Sequence, residues 1–283
     1  MIKPGIVAEI EPLSKETFHR FRKLIYEKTN INIREGKYIL ICNRLRKRVR
    51  ALKLKGYDEY YLYLTDGKGG DKELGHFIDA VSTNETYFFR ELNHFIALRD
   101  SILPQLFSRK KRIRIWSAGC STGEEPYTLR IVIDEWKGKP GENEAEIVAT
   151  DISREVIEKA REGIFNERSV RFVPEEVLQR YFVPAGRGSY RVCESLRRGI
   201  DFKVHNLLKE QPPEKCFDVI FCRNVMIYFD KTIQKRLVDE YFARVLDRHG
   251  YLCIGHSESL TGTSQKFHYL KGLKAPIYQK QRE

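Results

Sequence analysis

Residues 113–127, Ile113 to Tyr127, read I-R-I-W-S-A-G-C-S-T-G-E-E-P-Y. Ile113 and Ile115 alternate as the apolar positions of a buried strand do. The pattern breaks at Ala118-Gly119 and passes through small polar residues to Gly123. Glu124, Glu125 and Pro126 then give the acid-and-proline composition of a helix first turn. Strand, glycine-bearing turn and helix N-terminus in that order make the ligand-side corner of a doubly wound α/β sheet. Glycine there lets backbone approach a ligand, and the helix start offers free N–H groups. Taken alone, the stretch also fits a βα turn that merely needs glycine. It lacks the G-x-G-x-x-G spacing of a dinucleotide site and the Gly-Lys-Ser/Thr of a P-loop. Two acids at the helix start favour a ligand that carries positive charge.

Working outward, 283 residues leave room for one large domain or two modest ones. A composition 41% hydrophobic and 32% charged is that of a soluble globular protein. No apolar run approaches the ~20 residues needed to span a bilayer. The first residues, Met1 to Gly5, carry no apolar signal core, so a cytoplasmic location is expected. Six cysteines stand singly at 42, 120, 193, 216, 222 and 253. None forms C-x-x-C or a zinc spacing with histidine, which predicts reduced, mostly buried thiols and no metal. A net charge of +12 calls for an acidic partner without choosing among nucleic acid, membrane and protein.

The segment from about Leu13 to Ala80 has helical periodicity. Phe18, Phe21, Leu24 and Ile25 recur after Ser14, a capping residue. From Lys37 to Lys55 the chain holds eight basic residues and no acid. Ile41, Leu45, Val49 and Leu52 form one narrow apolar stripe. A solvated helix back is the ordinary fate of such charge. An all-positive run with no internal acid tips the reading toward a docking face made by Arg44, Arg46, Lys47, Arg48 and Arg50. A third helix near Tyr57–Leu64 closes this small domain. Next, I-D-A-V-S-T-N-E-T-Y-F-F-R-E (78–91) precedes an expected helix Leu92–Leu106. Its aromatics suit a core, whereas Asn84, Thr86 and Arg90 are polar groups in an aromatic setting that need partners.

Strand two is expected at Glu146–Asp151. Its terminal acid is placed for ribose hydroxyls, although alone it would more often cap the helix after Ser153. Between Phe165 and Gly199 the α/β rhythm stops, and short strands at Tyr181–Val183 and Tyr190–Cys193 suggest an antiparallel insertion. Strand three, Ile200–His205, ends in Asn206-Leu207, and strand four, Phe217–Cys222, ends in Arg223-Asn224. A helix Thr232–Leu246, a fifth strand Gly250–Ile254 and an edge hairpin near Phe267–Leu270 and Ile277–Gln279 complete the chain. Gly119, Asp151, Asn206 and Asn224 thus converge on one crevice. The expected fold class is α/β, a Rossmann-like domain with a small antiparallel insertion, preceded by a small all-α domain. The expected division is 1–78 basic helical, 79–93 linker, and 94–283 α/β with the insertion at about 178–199.

These features call for an adenosine-type ligand with a cationic element, and S-adenosylmethionine fits. T-N-E-T-Y-F-F-R-E (83–91), S-A-G-C-S-T-G-E-E-P-Y (117–127), A-T-D-I-S (149–153), F-C-R-N-V-M-I-Y-F-D (221–230) and G-H-S-E-S-L (255–260) together resemble the chemotaxis receptor glutamate methyltransferases (CheR) over nearly the whole chain. The resemblance implies a Rossmann-like methyltransferase using S-adenosylmethionine, yielding S-adenosylhomocysteine, without metal. It implies that Asn84, Thr86 and Arg90 lie against the methionyl part of the cofactor. Ala118, Gly119, Glu125, Asp151 for the ribose, Asn206 and Leu207 for the adenine, and Arg223-Asn224 complete the cofactor set. Arg90 and Tyr228 match residues that orient the reacting groups. The basic helix matches the face that meets the acidic methylation helices of receptors.

The implied enzyme is a monomer recruited from the cytoplasm to membrane receptor clusters, without insertion into the membrane. Some family members tether to a receptor C-terminal tail through the insertion, and the short turn Ala185-Gly186-Arg187-Gly188 points to a member that does not need it. A nucleic-acid methyltransferase is the rival within the chemistry. Arg223-Asn224-Val225-Met226 lacks the Asn/Asp-Pro-Pro-aromatic motif such enzymes carry, and the basic run lacks interleaved aromatics for base stacking. A non-catalytic cofactor-binding signalling module is the rival of another class.

Overall fold

Ser14 Oγ accepts the Thr17 N–H at 3.0 Å and starts the first helix, α1 (Lys15–Thr29), which Asn30 ends in the left-handed region at φ 59°. The computed structural model describes residues 10–137, 143–213 and 216–281, and the chain divides into two units between Thr83 and Asn84. The first continues through α2 (Tyr38–Ala51), α3 (Tyr57–Thr65) and α4 (Gly70–Val81). Phe21, Ile25, Tyr60 and Phe77 bury their rings and branches with Ile41, Leu45 and Val49, the stripe that the spacing of α2 predicts.

The basic run is not the uniform outward face expected of it. Arg48 makes a bidentate pair with Glu73, at 3.0 and 2.6 Å, and Tyr60 donates its hydroxyl to the same carboxylate at 2.8 Å. Arg44 reaches the Val81 carbonyl and the Thr83 hydroxyl. The acid that the run lacks is therefore supplied by α4, because burying Glu73 requires a paired cation. Arg46, Lys47 and Arg50 remain exposed.

The second unit carries ten strands among its described residues: β1 (Arg112–Ala118), β2 (Glu144–Asp151), β3 (Ile164–Asn166), β4 (Phe182–Pro184), β5 (Ser189–Val192), β6 (Ile200–Val204), β7 (Phe217–Cys222), β8 (Leu246–Ile254), β9 (Phe267–Tyr269) and β10 (Ile277–Lys280). Seven form one sheet in the order β6-β2-β1-β7-β8-β10-β9. The first five run parallel, and β10 is antiparallel to both its neighbours. Apolar side chains cover both faces, as a parallel sheet requires. The register sets Ala118 opposite Thr150 and Asp151 opposite Val204, so the C-terminal ends of β1, β2 and β6 lie level.

A second sheet, β3-β5-β4, is antiparallel. Its strand β3 is too short to show a period in the sequence. Two expected helices are interrupted. The run 93–107 passes through a π turn at Leu98–Ile102 before Pro104, and 231–245 passes through another at Leu237–Phe242. Strand β8 starts at Leu246, four residues earlier than expected, because its register against β7 shifts between Phe217 and Val219. The cysteines are all free, but only Cys120, Cys222 and Cys253 are buried, and Cys216 is exposed. No helix among the described residues is long and apolar enough to cross a membrane.

Candidate active site

The turn after β1 is built by two N–H groups, those of Gly119 and Cys120, which both donate to the Thr150 carbonyl at 2.8 Å. Gly119 has φ +98°, and a Cβ on it would lie 2.3 Å from the Val225 side chain. Its glycine is thus required both by conformation and by the close approach of the loop after β7. At Gly123 the close neighbour is Ala160, 2.9 Å from a built Cβ, so this glycine serves the packing of helix Glu124–Lys137. Asp151 accepts the Ser121 N–H at 2.9 Å on one oxygen and the Ser153 N–H at 3.0 Å on the other. It holds the turn after β1 to the end of β2, and Ser153 rather than Asp151 caps the next helix.

Residues 84–91 form a strap fastened to the turn after β1, to the helices that hold Thr128 and Ser169, and to Arg223. Ser121 Oγ donates to the Asn84 carbonyl at 3.2 Å. Phe88 N–H donates to the Ser169 carbonyl at 3.0 Å, and Phe89 N–H to Thr128 Oγ1 at 3.2 Å. Phe88 is fully buried between Phe165 and Phe182, an anchor whose removal would cost about 3–5 kcal/mol. Phe89 and Glu91 take φ +59° and +56°, which forces the strap to double back. Asn84, Thr86 and Tyr228 are half-buried, and their side-chain amide and hydroxyls take no hydrogen bond among the described residues. The Arg90 guanidinium bonds the Glu85 carbonyl.

Arg223 lies beneath the strap. Its guanidinium binds Glu125 at 2.8 Å, Glu91 at 3.2 Å and the Arg90 carbonyl, with the Phe95 ring 5.3 Å from its carbon. Its Nε is buried without a hydrogen-bond partner. The contacts of this residue, expected to face the cofactor, are thus protein carboxylates. Glu125 also accepts from Ser117 Oγ at 2.7 Å. Glu124 turns inward onto the hydroxyls of Thr122 and Ser169, and burial pushes its carboxyl up. The two acids of the helix start therefore do not both face a ligand: Glu125 is paired with Arg223, and Glu124 is buried against hydroxyls.

Glu91 and Glu258 were not singled out from the sequence, although each sits in a quoted word. Glu258 accepts three backbone N–H groups, from Asn224 at 3.0 Å, Ile227 at 3.1 Å and Gly255 at 2.6 Å. It shapes the loop that carries Asn224, at φ +58°, and Tyr228. Burial still pushes its carboxyl up, outweighing those donors. For Glu91 burial acts in the same upward sense, but Arg223 and the Asn224 amide hold its carboxyl below the usual range. His94 is fully buried, with Nε2 2.7 Å from the Ile254 carbonyl, and burial followed by Arg223 lowers its pKa to about 4. Glu91, His94 and His256 place one donor atom each within 4.8 Å of one another. A cation there would have to displace Arg223 from Glu91. His205, at the end of β6, bonds the Tyr241 hydroxyl at 2.6 Å and Glu210 at 3.0 Å, and serves the fold. Asn206 Oδ1 accepts the Leu208 N–H at 3.1 Å, and Leu207 is buried beside it.

Comparison with known proteins places the chain in a family. The model of the CheR methyltransferase SAM binding domain matches residues 84–275, and that of the CheR methyltransferase all-alpha domain matches 16–82. A chemotaxis protein methyltransferase of Borreliella burgdorferi is 40% identical over 257 residues, 88% of this chain and 90% of that protein. The chemotaxis protein methyltransferase 2 of Vibrio cholerae is 36% identical, covering 93% and 92%. A chemotaxis protein methyltransferase of Escherichia coli is 38% identical, covering 90% and 88%. With both family models matched in order and relatives aligned along most of its length, the chain belongs to the CheR methyltransferase family.

Proposed function

We propose that the protein methylates glutamate side chains of chemotaxis receptors, giving glutamyl methyl esters. The observation that carries this reading is the strap. It leaves the Asn84 amide and the Thr86 hydroxyl half-buried and unpartnered, like the Tyr228 hydroxyl on the loop after β7. Half-buried polar groups without protein partners suit a polar ligand.

When bound, S-adenosylmethionine supplies a methyl group on a positively charged sulfur. Asn84, Thr86 and Arg90 are assigned to its methionyl part, with Glu125 at its cationic end. Asp151 is assigned to the ribose, from the end of β2, where it also accepts the Ser121 and Ser153 N–H groups. Asn206 and Leu207 are assigned to the adenine, with Ala118 and Gly119 lining the turn and Asn224 closing the strand end. Arg223 acts from beneath, fixing Glu91 and Glu125.

A glutamate is ionised at neutral pH, so no general base is assigned. With the cofactor bound, a carboxylate oxygen would take the methyl group while the electron pair of the carbon–sulfur bond would stay on sulfur. No proton moves. The protein's part is alignment, which can supply up to roughly 7–11 kcal/mol in favourable cases. Arg90 holds the acceptor carboxylate and the Tyr228 hydroxyl sets its angle. The exposed Arg46, Lys47 and Arg50 are assigned to the acidic methylation helices of the receptor, reached from the cytoplasm at receptor clusters. The hairpin turn at 185–188 is closed by the Ala185 N–H donating to the Ser189 carbonyl and the Ser189 N–H donating to the Gly186 carbonyl, and we assign it no obligatory hold on a receptor tail.

The test is transfer of labelled methyl from S-adenosylmethionine to membranes carrying receptors, scored before and after mild base. Base-labile label on receptor protein supports the ester. Base-stable label moves the acceptor to nitrogen or nucleic acid, and no label with cofactor bound leaves a binding module.

A further inference from the structure

Beyond β3 the chain makes a short helix, Glu167–Val170, and emerges at Arg171 and Phe172. Phe172 is 57% exposed. Its ring centroid lies 5.2 Å from that of Tyr87 in the strap. The Arg171 guanidinium carbon sits 4.3 Å from the centre of the Tyr87 ring and 4.7 Å from that of Phe172. Arg90 approaches the same Tyr87 ring at 6.0 Å. Arg168 pairs with Glu85 of the strap at 3.2 Å, and both side chains are largely exposed. Three guanidiniums and two aromatic rings thus share one surface, with Glu85 as the carboxylate bonded among them.

A lone exposed aromatic needs no explanation. Here the aromatic is held against a guanidinium that is itself laid on a second ring. Stacking covers the faces of a guanidinium and leaves its edge as a planar fork for a carboxylate. Arg171 spends Nη1 on the Arg168 carbonyl at 2.7 Å, and its other donors take no partner among the described residues. The patch is also fixed relative to the strap. The Ser169 carbonyl accepts the Phe88 N–H, and Ser169 Oγ donates to Glu124 at 3.0 Å.

We propose that Tyr87, Arg168, Arg171 and Phe172 form a second substrate-binding surface within the methyltransferase unit. It takes the acidic stretch of receptor next to the acceptor glutamate, with a neighbouring carboxylate on the Arg171 edge and an apolar side chain on Phe172. This rests on the receptor-glutamate reading above and adds to it a register-setting contact, distinct from the basic helix. A surface of this kind selects which glutamate enters, because a carboxylate bound at Arg171 fixes the spacing to the one that reaches Arg90.

The test is the initial rate of methylation against receptor concentration for Arg171→Ala, Phe172→Ala and the double variant of the full chain. The double variant is expected to raise KM for receptor on the order of tenfold. Its kcat and its KM for S-adenosylmethionine should stay within about twofold. Arg171→Lys keeps the charge but loses the planar stack, and is expected to recover only part of the affinity. If the alanine variants melt early, the receptor KM of Arg171→Lys carries the same decision. An unmoved receptor KM, with base-labile ester still formed, overturns this surface and leaves the function standing. Absence of base-labile ester with the unsubstituted chain overturns the function and this surface with it.

Discussion

Arg223 and Arg90 are close in space and opposite in kind. Arg223 is buried to 6% exposure, and the cost of taking its charge from water is offset by Glu91 and Glu125 together. A basic residue at a strand end reads from sequence as a ligand contact, and only the fold shows two acids waiting for it. Arg90 is half-buried, and its guanidinium meets a single backbone carbonyl and the Tyr87 ring. It is therefore free to hold an acceptor carboxylate. Arg90→Ala is expected to lower turnover on the order of a hundredfold, with affinity for S-adenosylmethionine reduced far less. Single-turnover rates beside equilibrium binding separate the two quantities. Unchanged turnover would remove Arg90 from the reaction. Asn84 and Thr86 stand out in the sequence because polar groups among aromatics demand partners, and the structure gives their side chains none among the described residues.

The strap and the loop after β7 each hold residues in the left-handed region. Phe89, Glu91 and Asn224 sit there, as does Ser121 in the turn after β1. Such conformations cost about 1–2 kcal/mol each for residues with a Cβ, and neighbouring bonds must hold them. For the loop after β7, that neighbour is Glu258. Glu258→Ala leaves three N–H groups without their acceptor and is expected to lower unfolding stability by about 3 kcal/mol. Turnover should fall too, because the turn carrying Tyr228 loses its staple. Urea unfolding read beside methyl transfer tests this, and a variant as stable as the parent would show that Glu258 does not shape the loop. The word G-H-S-E-S-L was recognisable in sequence. The role of its acid was not, since Glu258 acts on a loop more than thirty residues earlier.

At the scale of the molecule, buried histidines tie stability to pH. The folded pKa of His94 is lowered to about 4 from 6.5, by burial and then by Arg223. That of His205 is lowered too, by burial against the opposing pull of Glu210. The unfolded chain therefore binds more protons between about pH 4 and pH 6.5, so stability is full above that window and declines as pH falls through it. For His94 the loss approaches roughly 3 kcal/mol. The melting temperature is expected to fall from about pH 7 to pH 5, and His94→Gln should flatten the slope while lowering the plateau. A flat profile in the parent chain would contradict the burial of a neutral His94. The α/β class, the parallel strand set with its edge hairpin, the glycine turn and the strand-end residues are legible without coordinates, because each is written in local periodicity and turn chemistry. The sequence could not show β3, the π turns, the early start of β8 or the inward turn of Arg44 and Arg48. Nor could it show that Glu91 and Glu125 would close on Arg223, or that Glu258 would be buried. Those outcomes depend on which distant groups meet once the sheet closes, since a charged residue is buried only where its partner arrives.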